Sequence, residues 1–392
     1  MSDYLKFIFS IPLLFLLKII NLFITVRIFE IKSPRIGHFV MDSMHFLHYK
    51  QIKKQKNEFI FFWFKEPSCN NYWSKYLKRN LPVYQFLEYT YRMDNKIFGQ
   101  NEMVNKILNQ SRDIHGHYSE LDMSPQFTKE EDAFAYSWLK SHGWTEGQPI
   151  ICLHVRDSEY LKNHLYKINS RDYSYHNYRD SPIEEYKEGV EYLIKNNAFV
   201  IRTGKVANIK LEIADKNFLD YPFVSNQDDF LDIWIFAKCQ LCISTMSGPD
   251  NISDVFCRNI LFINFLPLSD FYAWSNAVHA PKILINKENK LLNFNEYVAN
   301  SFHRHEDLLK NNIRIENISS KDIVEIFKEV WPDQKVIDEK YPTWNDNKLR
   351  FFNSSEYLPE VSVKFRNYFN VHNPNAVLSE YWLKNINKSF FE

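Results

Sequence analysis

Along the chain the spacing of apolar positions switches between helical and strand periods, and the switches mark out the elements. Residues 7–26 are apolar almost without break, interrupted by Ser10, Pro12, Lys18, Asn21 and Thr25, and predict one N-terminal helix. Residues 27–31 predict a short strand, 33–38 (Ser-Pro-Arg-Ile-Gly-His) a turn, and 39–49 a helix. Strand, glycine turn and helix open a Rossmann-like unit. Residues 59–64, Phe-Ile-Phe-Phe-Trp-Phe, predict a second buried strand and 81–84 a weaker third. Residues 93–140 read as helical and polar. Gly143 and Gly147, with Pro149 behind them, predict a hinge between domains.

Beyond the hinge the pattern is plainer. Residues 149–155 are apolar throughout, as in a central parallel strand. Ile183, Tyr186, Val190 and Leu193 share one helical face, and 198–202 is the next strand. Helix 230–238, strand 241–245, short helix 252–256 and strand 260–264 follow, and 319–322 caps a helix reaching Trp331. Strands alternating with helices at this spacing imply a parallel, doubly wound sheet. The domains expected are 1–27, an apolar membrane-associating helix; 28–147, Rossmann-like, for the acceptor; 148–331, Rossmann-like, for the donor; and 332–392, a tail packing back on the body, with a helix near 359–369.

The length of 392 residues suits two α/β domains. Lysine plus arginine equals aspartate plus glutamate at 48 each, so no global field draws nucleic acid, and an anionic ligand needs a local cluster of donors. Five scattered cysteines do not form a disulfide framework, which points to a reducing cytosol. Cys239 and Cys242 form a C-x-x-C, but the second pair of a structural zinc site is missing, and their apolar run favours packing. No signal-peptide cleavage site follows the apolar stretch. Lys18 near its middle favours a helix lying in the membrane interface; a spanning helix and one buried on the protein are the alternatives. Lys6, Arg27, Lys32 and Arg35 flank it and suit the cytoplasmic side.

In open parallel sheets ligands bind beyond the carboxyl ends of the strands, so polar residues gathered there are the candidates. His154 and Arg156 end the first strand of the second half, two apart and facing alike; the guanidinium suits a diphosphate, or an ordinary salt bridge to Asp157 or Glu159. The next strand ends in Arg202-Thr203-Gly204-Lys205. The one after ends in Ser244-Thr245-Met246-Ser247-Gly248, whose hydroxyls and amides can cradle phosphate or simply cap a helix. Asn264 and Phe265 end the last and could contact a base or sugar. The segment 170–181 between first strand and helix, with Asn177 and Arg179, reads as a lid or as a solvated loop. No Asp-x-Asp occurs and the histidines lack metal-ligand spacing, so neither metal nor cofactor is expected and protein cations must neutralise a leaving group. His38, after Gly37 at the first strand–helix turn, is the candidate general base, Asp42 one turn later its reserve; His38 could equally bond backbone at the helix start.

The stretches Arg35-Ile36-Gly37-His38, Cys69-Asn70, Cys152 to Ser158, Tyr175 to Ser181, Ile201 to Gly204 and Ile243 to Gly248 occur in an order that resembles a family of bacterial glycosyltransferases from surface-polysaccharide loci. The histidine-x-arginine element is similar to that of fucosyltransferase-type GT-B enzymes, which implies a diphosphate contact for Arg156. Met246, Pro249-Asp250 and Cys257-Arg258-Asn259 depart from the family's pattern. The resemblance implies an α/β, GT-B-like fold of two Rossmann-like domains facing a cleft, with the N-terminal apolar helix. It implies a hexosyl- or deoxyhexosyltransferase moving sugar from a nucleotide-diphosphosugar to a glycan or lipid-linked acceptor. The missing Asp-x-Asp makes a metal-independent reaction the expectation, a general base makes inversion the expectation, and the flanked apolar helix and the cysteines suit the cytoplasmic face of the inner membrane. Arg35, Gly37, His38 and Asn70 would line the acceptor side; His154, Arg156, Asn177, Arg179, Arg202, Gly204, Ser244, Thr245, Ser247, Gly248 and Asn264 the donor side. An epimerase of nucleotide-sugars on the same fold, or a non-catalytic membrane-peripheral protein binding nucleotide or glycan, would share most of these features.

Overall fold

The computed structural model describes residues 3–52, 57–99, 112–114, 116, 127–160, 174–299, 302–331 and 360–392. The chain divides into two compact units, Met1–Asp122 and Met123–Glu392.

The first unit contains α1 (Asp3–Ile20), β1 (Thr25–Ile31), α2 (Ile36–Ile52), β2 (Glu58–Phe64), α3 (Asn71–Asn80) and α4 (Leu87–Phe98). β1 and β2 pair in parallel from Thr25↔Glu58 to Ile31↔Phe64, with α2 as the crossover. The weak strand expected at 81–84 is reduced to a single parallel bridge, Phe62↔Val83, next to Pro82, which has no N–H to donate. Phe29 and Phe46 stack with ring centroids 5.0 Å apart and Phe62 lies 4.8 Å from Phe46, which fixes α2 on the strands.

One side of α1 meets α4: Leu14 is buried, and Lys18 pairs with Asp94 at 2.6 Å while lying 4.4 Å over the Phe98 ring. The lysine is therefore neutralised on the protein side, not extended toward a lipid surface. The other side of α1 leaves Ile8, Ile11, Phe15 and Ile19 exposed, continued by Leu22 and Phe23 just beyond it. Among the described residues no helix is long and apolar enough to cross a membrane, which removes the spanning alternative.

The second unit begins with α5 (Lys129–Ser141), opened by a capping box between Thr128 and Glu131. β3 (Ile150–His154), two 3-10 turns (Ser174–Arg179 and Ile183–Tyr186), α6 (Lys187–Lys195), β4 (Phe199–Arg202), β5 (Phe218–Asp220), α7 (Asp229–Lys238), β6 (Leu241–Ser244), α8 (Asp250–Val255) and β7 (Asn259–Phe265) follow. β8 (Ala277–Pro281), β9 (Ile283–Ile285), α9 (Phe294–Ala299), α10 (His305–Lys310), β10 (Arg314–Glu316), α11 (Ser320–Val330), α12 (Glu360–Phe369) and β11 (Val377–Leu378) complete it. Seven strands form one sheet in the order β11-β8-β7-β6-β3-β4-β5, and every neighbouring pair is parallel. β3, β4, β6 and β7 are buried at every residue, because helices cover both faces. The C-terminal tail thus contributes the edge strand, and Glu329 fastens it by accepting from Ser379 Oγ at 2.6 Å and Glu380 N at 2.8 Å.

The division at Asp122 puts α5 in the second unit, ahead of the glycine turn expected as a hinge. Gly143 belongs to that unit's packing: its φ is +102, and a Cβ there would stand 2.3 Å from the Lys216 carbonyl oxygen. From β3 the chain builds outward to β4 and β5, then returns to the other side of β3 with β6 and continues to β7 and β8. The order reverses between β3 and β6, where open sheets leave a crevice at the strands' carboxyl ends.

Candidate functional site

The residues just past β3 and β6 are joined at this reversal. The Thr245 amide donates to the His154 carbonyl at 3.2 Å, and the Arg156 amide donates to Thr245 Oγ1 at 2.9 Å. Arg156 therefore stands beside the serine–glycine loop. Within that loop Met246 adopts φ +60, which costs a side-chain-bearing residue roughly 1–2 kcal/mol and is held by specific bonds. Its amide donates to Ser244 Oγ at 3.1 Å, and its carbonyl accepts from Arg179 Nη2.

The loop hydroxyls and amides were expected to cradle phosphate or cap a helix, and the amides of Thr245, Met246 and Ser247 are engaged within the protein. Asp250, fully buried at the start of α8, accepts from Ser244 Oγ at 2.7 Å and from the Ser247 amide at 2.5 Å. Its own carboxylate takes the place an anion would have needed. Burial pushes that carboxyl up to about 7, against the lowering effect of the Ser244 and Ser247 bonds and of Arg179. Thr245 is buried and engaged by Arg156, while Ser247 and Gly248 are half-buried.

Cations from two segments, Arg156 after β3 and Lys282 after β8, meet the strap that follows the first 3-10 turn. Arg156 Nη1 donates to the His176 carbonyl at 2.9 Å and forms an ion pair with Asp180. The Ser181 amide returns to the Arg156 carbonyl at 3.2 Å. Lys282, which follows β8 and is only 3% exposed, donates from Nζ to the Asp180 carbonyl at 2.6 Å. Burial lowers Lys282 to about 8 and Arg156 to about 10; Asp180 pulls both back up. Asn177 is exposed on the 3-10 turn itself.

The remaining donor-side candidates are spread differently. His154 has different partners from Arg156: it packs edge-on against Phe236, with Nδ1 3.3 Å from Thr203 Oγ1. Burial lowers it to about 4, so the ring is neutral at pH 7. Arg202 is committed inside the unit, donating to both Asp220 carboxylate oxygens at 3.3 Å and to the Ile209 carbonyl at 2.5 Å. Gly204 takes φ +144 in the turn beyond it. Asn264, expected to meet base or sugar, is fully buried at a register shift in β7, with φ +52. Its amide donates to Tyr186 OH at 3.1 Å and Ser181 Oγ at 3.3 Å, and its carbonyl accepts from the Ile318 amide at 2.7 Å. These bonds make it a brace between β7, the strap and the segment before α11.

The acceptor-side candidates lie in the first unit. Gly37 and His38 open α2, with Arg35 exposed before them. Burial, then Arg35 and Lys32, lower His38 to about 4, below the near-neutral value expected of a base. Asp42 is 1% exposed within the helix core, away from solvent. Asn70 caps α3, accepting from the Trp73 amide at 2.8 Å. Cys239 and Cys242 are buried and unpaired, as the packing reading requires.

Sequence reasoning passed over Lys282 and gave Asp180 and Asp250 no role. The order of the strands is what brings β8, and with it Lys282, to the same edge as Arg156. Among the described residues no cluster of three or more His, Cys, Asp or Glu side chains could hold a metal ion.

No protein-family profile matches the chain. No curated protein matches it either. Solved structures similar to it include the glycosyl transferase family 9 protein from Veillonella parvula DSM 2008, 10% identical, with 66% of this chain and 86% of that one covered and a TM-score of 0.40. Another is the ADP-heptose lps heptosyltransferase II of E. coli, 11% identical, covering 73% of this chain and 98% of that one at a TM-score of 0.39. At such distance, function has to be read from the residues themselves.

Proposed function

We propose that the protein is a glycosyltransferase that uses a nucleotide-diphosphosugar, with Arg156 as the group that takes charge on the departing diphosphate. One observation carries the reading: Arg156, whose backbone amide is bonded to Thr245 Oγ1, stands at the point where the strand order of a parallel sheet reverses. A planar fork of five N–H donors there matches phosphate oxygens better than any other side chain. In the reaction the acceptor hydroxyl oxygen bonds to the anomeric carbon and loses its proton to a base. The bond from that carbon to the phosphate oxygen breaks, and its electron pair leaves with the diphosphate. Arg156, Arg179 and Lys282 supply positive charge in surroundings of low dielectric, which is the work a divalent metal performs elsewhere. We take the displacement to be single and inverting, and the acceptor to be a glycan or lipid-linked glycan of the bacterial surface. The exposed apolar stripe on α1 fits a peripheral position on the cytoplasmic side of the inner membrane.

The test is release of nucleoside diphosphate from a panel of nucleotide-sugars, with and without lipid-linked glycan acceptors. Acceptor-dependent release that survives EDTA and disappears in Arg156→Ala is expected. Sugar isomerisation without acceptor would point to an epimerase, and nucleotide binding without turnover to a binding protein; either result overturns the assignment.

A further inference from the structure

The guanidinium of Arg156 is not waiting for its ligand. Only 8% of its side chain is exposed, and the carboxylate of Asp180 is paired with it. That carboxylate is the more accessible partner, at 24% exposed, so an anion approaching Arg156 from solvent meets Asp180 first. Asp180 is fixed from both sides of the reversal: its backbone carbonyl accepts from Lys282 at the end of β8, and its neighbour Ser181 bonds back to the Arg156 carbonyl. Arg179, one residue earlier, reaches across to the Met246 carbonyl in the serine–glycine loop. A single strap thus carries one carboxylate into a group of three cations drawn from β3, β8 and the strap itself.

A diphosphate has more charge and more acceptor oxygens than a carboxylate, and it can engage the arginine fork and an ammonium together. We propose that Asp180 is a resident counter-ion which the donor's diphosphate displaces from Arg156, and that Lys282 is the second cation that receives it. This rests on the reading of Arg156 as the diphosphate-binding group. Asp180 keeps the buried guanidinium compensated while the site is empty, since an unpaired buried charge is strongly destabilising. The exchange also sets specificity: a monoanion gains too little to replace the carboxylate, whereas a diphosphate does. Lys282 already bonds the Asp180 carbonyl of the same strap, so ligand entry is felt at Asp180 through both its side chain and its backbone.

Calorimetric titration of the full chain with inorganic pyrophosphate and with UDP, GDP and ADP tests the exchange. Asp180→Asn keeps the backbone carbonyl for Lys282, the side-chain size and one acceptor oxygen, and removes the competing charge. It should bind pyrophosphate at least about fivefold more tightly than wild type, and Lys282→Met should bind it at least about fivefold more weakly. Asp180→Ser serves as the second variant if the asparagine form does not fold, with the same tightening expected. Unchanged or weaker binding in a folded Asp180 variant overturns the exchange. If wild type binds and Arg156→Ala does not, that failure touches Asp180 alone; if wild type binds none of the four probes, the functional reading falls and the exchange falls with it.

Discussion

Asp250 has no exposed surface, and burial raises its carboxyl from 3.8 to about 7. The folded state therefore keeps a proton that the unfolded chain gives up at lower pH. Stability from this group is complete below the unfolded value and is lost as pH rises toward 7, by on the order of 1.4 kcal/mol for each pH unit between the two values. Asp250→Asn can still accept the Ser244 and Ser247 bonds and has no charge to desolvate. Its melting temperature relative to wild type should climb from pH 4 to pH 7 and level off above; a constant difference across that range would contradict the assignment. Asn264 shows the opposite kind of polar residue, uncharged and fully bonded. Asn264→Ala leaves the Ile318 amide without its acceptor and places an alanine at φ +52, so a loss of roughly 2–4 kcal/mol is expected in denaturant unfolding. Its place at a strand end was legible in the sequence; its inward turn was not, because a register shift in β7 reverses the direction that alternation predicts.

At the level of elements, those with long apolar runs were legible and the short ones were not. β3, β6 and β7 each hold an unbroken apolar run, 150–153, 241–243 and 260–263, and α11 begins with the Ser319 cap as the spacing predicts. β8 reads Ala-Val-His-Ala-Pro, which has no alternation and Val278 as its single strong strand former, and it owes its place to pairing with β7. Lys282 was hidden along with it. For α1 the sequence indicated an apolar helix with a lysine that would be expensive in lipid. The ion pair with Asp94 removes that expense and leaves an uncharged outer stripe. Replacing Phe15, Leu22 and Phe23 together by glutamate should lower partition onto phospholipid vesicles by at least about tenfold in co-sedimentation, since each exposed side chain is worth roughly 1–3 kcal/mol when buried. Equal partition of the triple variant would exclude this stripe as the contact.

Taken as a molecule, the chain is two parallel α/β units, and the second carries Arg156, Arg179, Lys282, Thr245 and Asp180 together. A fragment spanning 123–392 should therefore bind nucleoside diphosphate with the affinity of the full chain; a fragment that folds but does not bind would contradict a diphosphate site carried by the second unit. The alternation of strands and helices was enough to foresee a doubly wound sheet. It could not give the strand order, and the order is what turns separate polar strand ends into one site. The decisive measurement is calorimetric titration of UDP, GDP and ADP into wild type, Arg156→Ala and Arg156→Lys. One of the three should bind wild type, lose at least about 100-fold with alanine and recover part of that with lysine, which restores charge without the fork. Equal affinity in wild type and the alanine variant would contradict a diphosphate site at Arg156.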